Sequence, residues 1–242
     1  MRQTFSCDSA EDMTEMKMIG LIGGMSWEST VTYYQVINET IRRELGGLHS
    51  ARILISSIDF APVADAQEAD DWDFCSSVMA RAAMDLKKGG ADFILIGANT
   101  MHLCYEDVRK AGLPVLHIAE ATVNRLEKDH IHTVGLLGTK FTMCMDFYKN
   151  VILEKGIDVL IPENDIDTVN SIIYDELCQG ILREESKKEL QRIISNLMDE
   201  GAEGVILGCT ELGLLISQQD CEIPVYDTTL IHGEEAALLS LK

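Results

Sequence analysis

GADFILIGANT (90–100) and GAEGVILGCTE (201–211) are two versions of one unit, and their likeness decides the fold. Each opens on a Gly-Ala pair, runs through a short aliphatic stretch, reaches a glycine and ends in polar residues. That is the pattern of a buried strand stopping where a loop begins. The offset between them is 111 positions, and the ends differ at one place: Ala98 stands before Asn99 and Thr100 where Cys209 stands before Thr210 and Glu211.

Three further pairs extend the repeat outward. HTVGLLGTKFTM (132–143) answers MKMIGLIGGMSW (16–27) at an offset of 115, with Gly135 on Gly20 and Gly138 on Gly23. DFYKNVI (146–152) answers TYYQVI (32–37) at 114, and IPVYDT (223–228) answers LPVLHI (113–118) at 110. Four blocks in one order with a slowly drifting offset indicate duplication. Between the strands a helical pattern runs from about Glu28 to Leu45. ARILISSIDF (51–60) reads as another strand, and an exposed acidic stretch over Gln67–Asp73 leads to a helix over Phe74–Lys88. Strands alternating with helices imply βαβ units and parallel sheets.

The expectation is an α/β protein of two similar pseudo-symmetric lobes, each a parallel sheet flanked by helices, with the active site in the cleft between them. Residues 1–17 are expected to form a flexible tail, 18–114 plus 223–242 a first lobe, and 115–222 a second. Within the tail, Met16 or Met18 is an alternative start. Ligands of open parallel sheets sit beyond the carboxyl ends of the strands. That rule brings Ala98 and Cys209 to one cleft.

Composition removes several classes of function. Forty acidic against twenty basic residues give a net charge of −20, which repels nucleic-acid backbones and anionic lipid surfaces. No apolar run approaches the roughly 20 residues a membrane helix needs, and the first residues lack a signal-peptide core. The seven cysteines are odd in number and contain no C-x-x-C pair, so neither a disulfide framework nor a metal site is expected, and the compartment reads as reducing cytoplasm. GLIGGM lacks the spacing of a dinucleotide fingerprint, and no phosphate loop occurs.

Cys209 closes a strand beside Thr210, a good N-cap, with an apolar pattern ELGLLI after it. A helix starting there would stabilise a thiolate, so a lowered thiol pKa is expected. The bland alternative is a small buried cysteine packed as a hydrophobe.

GLIGGMSWEST (20–30), GANTMH (97–102), GLLGTKFTM (135–143) and LGCTE (207–211) together resemble the motifs of the aspartate/glutamate racemase family, over almost the whole chain from about Met16. The resemblance implies two facing α/β lobes and cofactor-independent amino-acid racemisation. In that family one cysteine from each lobe flanks the substrate α-carbon; one removes the α-proton and the other returns a proton to the opposite face. Here Cys209 is one of them and Ala98 holds the place of the other. Cys104 cannot step in, because six helical residues at 1.5 Å each carry it about 9 Å from Ala98. The missing partner leaves three accounts: a water held by Asn99, Thr100 or another cleft group, a strong kinetic preference for one direction, or chemistry needing a single cysteine.

The resemblance further implies Met25, Ser26, Thr139, Thr142, Thr210 and Glu211 as site residues, with Asn99, Thr100 and Thr210 holding the α-carboxylate from helix N-termini. Thr100 is also counted with Cys209 and Ala98 as catalytic. Aspartate-specific relatives grip the side-chain carboxylate with basic residues; at the expected places this chain offers Gln67 and Cys178. The expected partner is a small amino acid or dicarboxylate, with a homodimer left open. The alternatives are a single-cysteine decarboxylase or lyase and a non-catalytic binder of small acids. His102 and His232 read as packing histidines as readily as proton relays.

Overall fold

The computed structural model of the chain describes residues 16–242. Two parallel four-stranded sheets form the frame. The first joins β1 (Ile19–Gly23), β2 (Ile53–Ser57), β3 (Phe93–Ile96) and β4 (Val115–Leu116) in the order β2-β1-β3-β4. The second joins β5 (Thr133–Gly138), β6 (Asp158–Leu160), β7 (Gly204–Gly208) and β8 (Val225–Asp227) in the order β6-β5-β7-β8. The topology is the same in both, and so is the register: Gly20 lies opposite Ile94, and Gly135 lies opposite Val205.

Ten α-helices cover these sheets among the described residues: α1 (Trp27–Leu45), α2 (Phe60–Glu68), α3 (Trp72–Gly89), α4 (Tyr105–Arg109), α5 (Ile118–Lys128), α6 (Lys140–Cys144), α7 (Asp146–Leu153), α8 (Ile166–Ser171), α9 (Glu184–Asp199) and α10 (Thr228–Ser240). In α1, Tyr33, Ile37 and Ile41 are four residues apart and all buried, while Glu28 sits in the first turn and Arg42 and Arg43 in the last. The spacing makes one apolar stripe, and the charges complement the helix dipole at both ends.

The chain exchanges a helix between lobes at two equivalent points. Helix α5 follows β4 of the first sheet, yet its Ile118, Val123 and Leu126 pack with Val134, Leu136 and Ile206 of the second. Helix α10 follows β8 of the second sheet, yet its Ala236 and Ala237 pack with Ile19, Leu21 and Phe93 of the first. His117 and Asp227 stand at the two crossovers, where each caps its helix by accepting backbone N–H bonds.

Three expectations change. Strand pairing moves the lobe boundaries, since Val115–Leu116 belong to the first sheet and Val225–Asp227 to the second; the crossover comes after each strand, where the cap is, and not before it. Residues 1–15 of the expected tail lie outside the described residues, and the Lys17 N–H is bonded to Ser240 O at 2.9 Å. The stretch Gln67–Asp73 is not wholly exposed: Gln67 is buried in α2, and α3 begins at Trp72 because Asp71 caps it by accepting from the Phe74 N–H. Among the described residues, no helix is long and apolar enough to cross a membrane.

Candidate active site

The carboxyl ends of the strands meet at a cavity lined by Ala98, Asn99 and Thr100 from the first lobe and by Cys209, Thr210 and Glu211 from the second. Met25, Gln67 and Thr139 also reach it. A glycine precedes each central position for the same reason. A Cβ on Gly97 would lie 2.9 Å from Ile22 O, and one on Gly208 2.9 Å from Leu137 O. Only glycine lets those strand ends pass so close to their neighbours, and the next residue is thereby delivered into the cleft.

Glu211 organises the second lobe's side of the site. It is buried, and its Oε1 accepts from the Ser26 backbone N–H at 3.1 Å and from Ser26 Oγ at 2.7 Å. Its Oε2 accepts from Thr210 Oγ1 at 2.9 Å and from Cys209 Sγ at 3.0 Å. One carboxylate therefore ties the loop after β1 to the end of β7 with four donors. Charge-assisted bonds of this kind are among the stronger ones proteins make.

The cysteine's ionisation differs from expectation. Burial pushes the Cys209 thiol well above its ordinary value, and the neighbouring Glu211 charge pushes it further. The expected helix is also missing: Leu212–Leu214 form a single 3-10 turn, with Asp227 packed where a side chain on Gly213 would lie. No helix dipole is available to favour thiolate, so the resting group is a thiol that donates to Glu211. Thr100 likewise opens a 3-10 turn, Thr100–Cys104, and Asn99 makes no capping bond with its side chain. Helix N-termini therefore do not supply the anion site at these positions.

The side chains present other groups. Asn99 Nδ2 donates to Thr228 Oγ1 at 3.0 Å, whose own hydrogen goes to Leu207 O. That fixes the amide orientation and leaves Asn99 Oδ1 as a buried acceptor with no partner. Thr100 Oγ1 and Thr139 Oγ1 lie 2.9 Å apart, bridging the lobes, and Thr142 supports Thr139 from behind at 3.3 Å. Ser26 and Thr142 thus stand behind the lining, not in it. Phe60, Met101, Ile173, Tyr174 and Cys178 complete the cavity. Of these only Cys178 had a sequence signal, through the resemblance; Tyr174 lies in a π-helical turn, Ile172–Glu176, which no residue pattern foretold.

The cavity is small, at ≈ 30 Å³, about one water molecule's share of liquid volume. A larger groove of ≈ 730 Å³ lies outside and shares Gln67 and Tyr174 with the inner cavity. Tyr174 Oη donates to Gln67 Oε1 at 3.3 Å across the lobes, so the residues shared by the two spaces are bonded to each other.

The histidines are structural. His102 Nδ1 donates to Ala98 O at 3.0 Å and its Nε2 accepts from the Ile118 N–H at 3.2 Å, so its tautomer is fixed and neutral. His232 is bound on both sides, to Tyr33 Oη at 2.8 Å and Leu116 O at 3.0 Å. Burial lowers His102 well below its usual value, His117 to about 4 and His232 to about 3. Folded-state values below the unfolded one give stability that is present above about pH 6.5 and lost as pH falls toward 4 and 3. Each of His117 and His232 removes on the order of 2 kcal/mol at pH 5. The thermal midpoint should therefore fall clearly between pH 7.5 and pH 5, and an unchanged midpoint would show that these rings are solvated. Among the described residues, no cluster of three or more His, Cys, Asp or Glu side chains is arranged to hold a metal.

The sequence profile of the Asp/Glu/Hydantoin racemase family matches residues 22–236. The chain belongs to this family. A Yersinia pestis protein described as an Asp/Glu racemase is 46% identical, with 94% of this chain and 100% of that one covered at a TM-score of 0.86. An aspartate racemase homologue from Pyrococcus horikoshii is 36% identical over 94% of this chain and 100% of that one, with a TM-score of 0.80. The broad specificity amino-acid racemase RacX of Bacillus subtilis is 26% identical over 217 residues, 88% of this chain and 93% of that protein. The names of these relatives refer to racemases, which are isomerases, and the two solved structures share the two-lobed α/β frame.

Proposed function

We propose that this member of the racemase family is an amino-acid racemase in which Cys209 exchanges the substrate α-proton on one face and a hydroxyl or a water it holds serves the face at Ala98. The observation that carries the reading is the Cys209 Sγ–Glu211 Oε2 contact of 3.0 Å inside the inter-lobe cavity. A thiol held against a carboxylate can work in both directions. As an acid it gives its proton to the planar carbanion. As a base it first passes its proton to Glu211 Oε2 and then takes the α-proton.

The unpartnered Asn99 Oδ1 is an acceptor and suits the α-ammonium, while the Thr100–Thr139 hydroxyl pair spends one hydrogen on its own bond and can turn the other toward the α-carboxylate. Charge moving onto that carboxylate as the α-proton leaves would strengthen that bond. Either hydroxyl, or a water they hold, is the proton carrier left on the side where Ala98 has only a methyl. Membership of a racemase family and the named activity of the Bacillus subtilis relative support the same reading.

Incorporation of solvent deuterium at Cα, followed separately for L and D substrates, tests it directly. Unlike groups on the two faces should give unlike kcat for the two enantiomers, compensated in KM because their equilibrium constant is unity. Ala98→Cys restores a second thiol and should raise the slower exchange, since a positioned acid–base group contributes about 10²–10⁴-fold. Matching kinetics for both enantiomers, with no response to Ala98→Cys in a folded variant, would mean that the second carrier lies elsewhere.

A further inference from the structure

The chemistry of the cavity wall narrows the substrate. Resting on the racemase reading above, we infer that the site accepts amino acids with uncharged side chains and discriminates against aspartate and glutamate. The lining contains no Lys, Arg or His, and its charged member is the anion Glu211. Much of the remaining wall is apolar, with Met25, Phe60, Met101 and Ile173 in the lining.

The polar groups there are neutral. Gln67 is buried, accepts from Tyr174 Oη, and gives one Nε2 hydrogen to Met101 Sδ at 3.0 Å, a weak acceptor. An amide has two such hydrogens and a phenol oxygen has spare lone pairs, so the pair can give one hydrogen bond and receive one. A substrate carboxamide both accepts and donates and matches them. A carboxylate accepts only, and it would lose its water without gaining a cation, which is strongly unfavourable in a dry site.

The approach is equally unhelpful to a second negative charge. Asp65, Glu68, Asp70 and Asp175 line the outer groove. Among the described residues, Lys140 is the one Lys, Arg or His lining either space, and it is paired with Asp167 at 3.0 Å. A dicarboxylate would have to break that pair or cross an acidic field unaided.

Isosteric pairs isolate charge from shape. With the wild-type protein, asparagine against aspartate and glutamine against glutamate are compared in two assays: kcat/KM for solvent deuterium incorporation at Cα, and affinity by titration calorimetry. The amide of each pair is expected to be favoured about 100-fold. A ratio below ten in either pair, in whichever assay gives signal, overturns the inference. If no amino acid exchanges its α-proton but the amides bind with the expected preference, the racemase reading fails and the specificity stands. If nothing exchanges and nothing binds, both fall. Should aspartate or glutamate be the better substrate, racemisation stands and the inference is wrong.

Discussion

Cys209→Ala is expected to abolish racemisation in both directions, together with α-proton exchange of the enantiomer that presents its proton to the sulfur, by about 10³-fold, while the protein stays folded. The sulfur is in contact with a carboxylate able to take its proton, Glu211 Oε2 at 3.0 Å. A planar carbanion protonated from a single side yields one enantiomer only. Removing one buried sulfur leaves a small void and lowers stability by about 1–2 kcal/mol, which a thermal melt will distinguish from unfolding. Cys209→Ser keeps the size but substitutes a hydroxyl far weaker as an acid, and it should be nearly as inactive. Racemisation at wild-type rates in folded Cys209→Ala would remove the thiol from the mechanism.

Glu211→Gln should have the next largest effect, a loss of about 10²–10⁴-fold in proton abstraction with a changed pH profile. The carboxylate is the thiol's only contacting proton acceptor among the described residues, and it also raises the thiol's pKa. With an amide there, solvent must deprotonate the thiol, so exchange in the variant should climb steadily with rising pH where the wild type has a weaker dependence. An amide also sets an NH2 against donors that now all face oxygen. An unmatched buried donor pair costs about 1–3 kcal/mol, so stability should fall together with activity. A stability loss without the altered pH profile would assign Glu211 to holding Ser26 against Cys209 and not to moving the proton.

The repeat was legible because it is written in residues with few alternatives. Gly97 and Gly208 are required where strand ends crowd a neighbouring carbonyl, and aliphatic runs are required where a parallel sheet is covered on both faces. The central site pair Ala98 and Cys209 followed from that alignment. The lobe boundaries were placed a strand too early, because local patterns reveal a strand but not which sheet it joins; that is settled by crossovers whose partners lie far away in sequence. The thiol's ionisation was misjudged for a similar reason. An apolar pattern after Thr210 suggested a helix, yet Gly213 against Asp227 and the burial of Glu211 are tertiary facts. Tyr174 and Phe60 enter the cavity from segments whose sequences resemble ordinary core.

The exchanged helices α5 and α10 have a consequence for how such a chain can arise. Half of it, ending with α5, carries a helix whose apolar face fits the sheet of the other half. Two identical half-length polypeptides would satisfy this only by each lending its last helix to the other, which is a domain-swapped homodimer. The cleft of that ancestor would lie on its two-fold axis, with like residues on both faces of the ligand. Joining the two halves in one chain would free each copy to vary on its own. A sulfur on one side facing a methyl on the other is a state that no symmetric dimer of identical chains can reach.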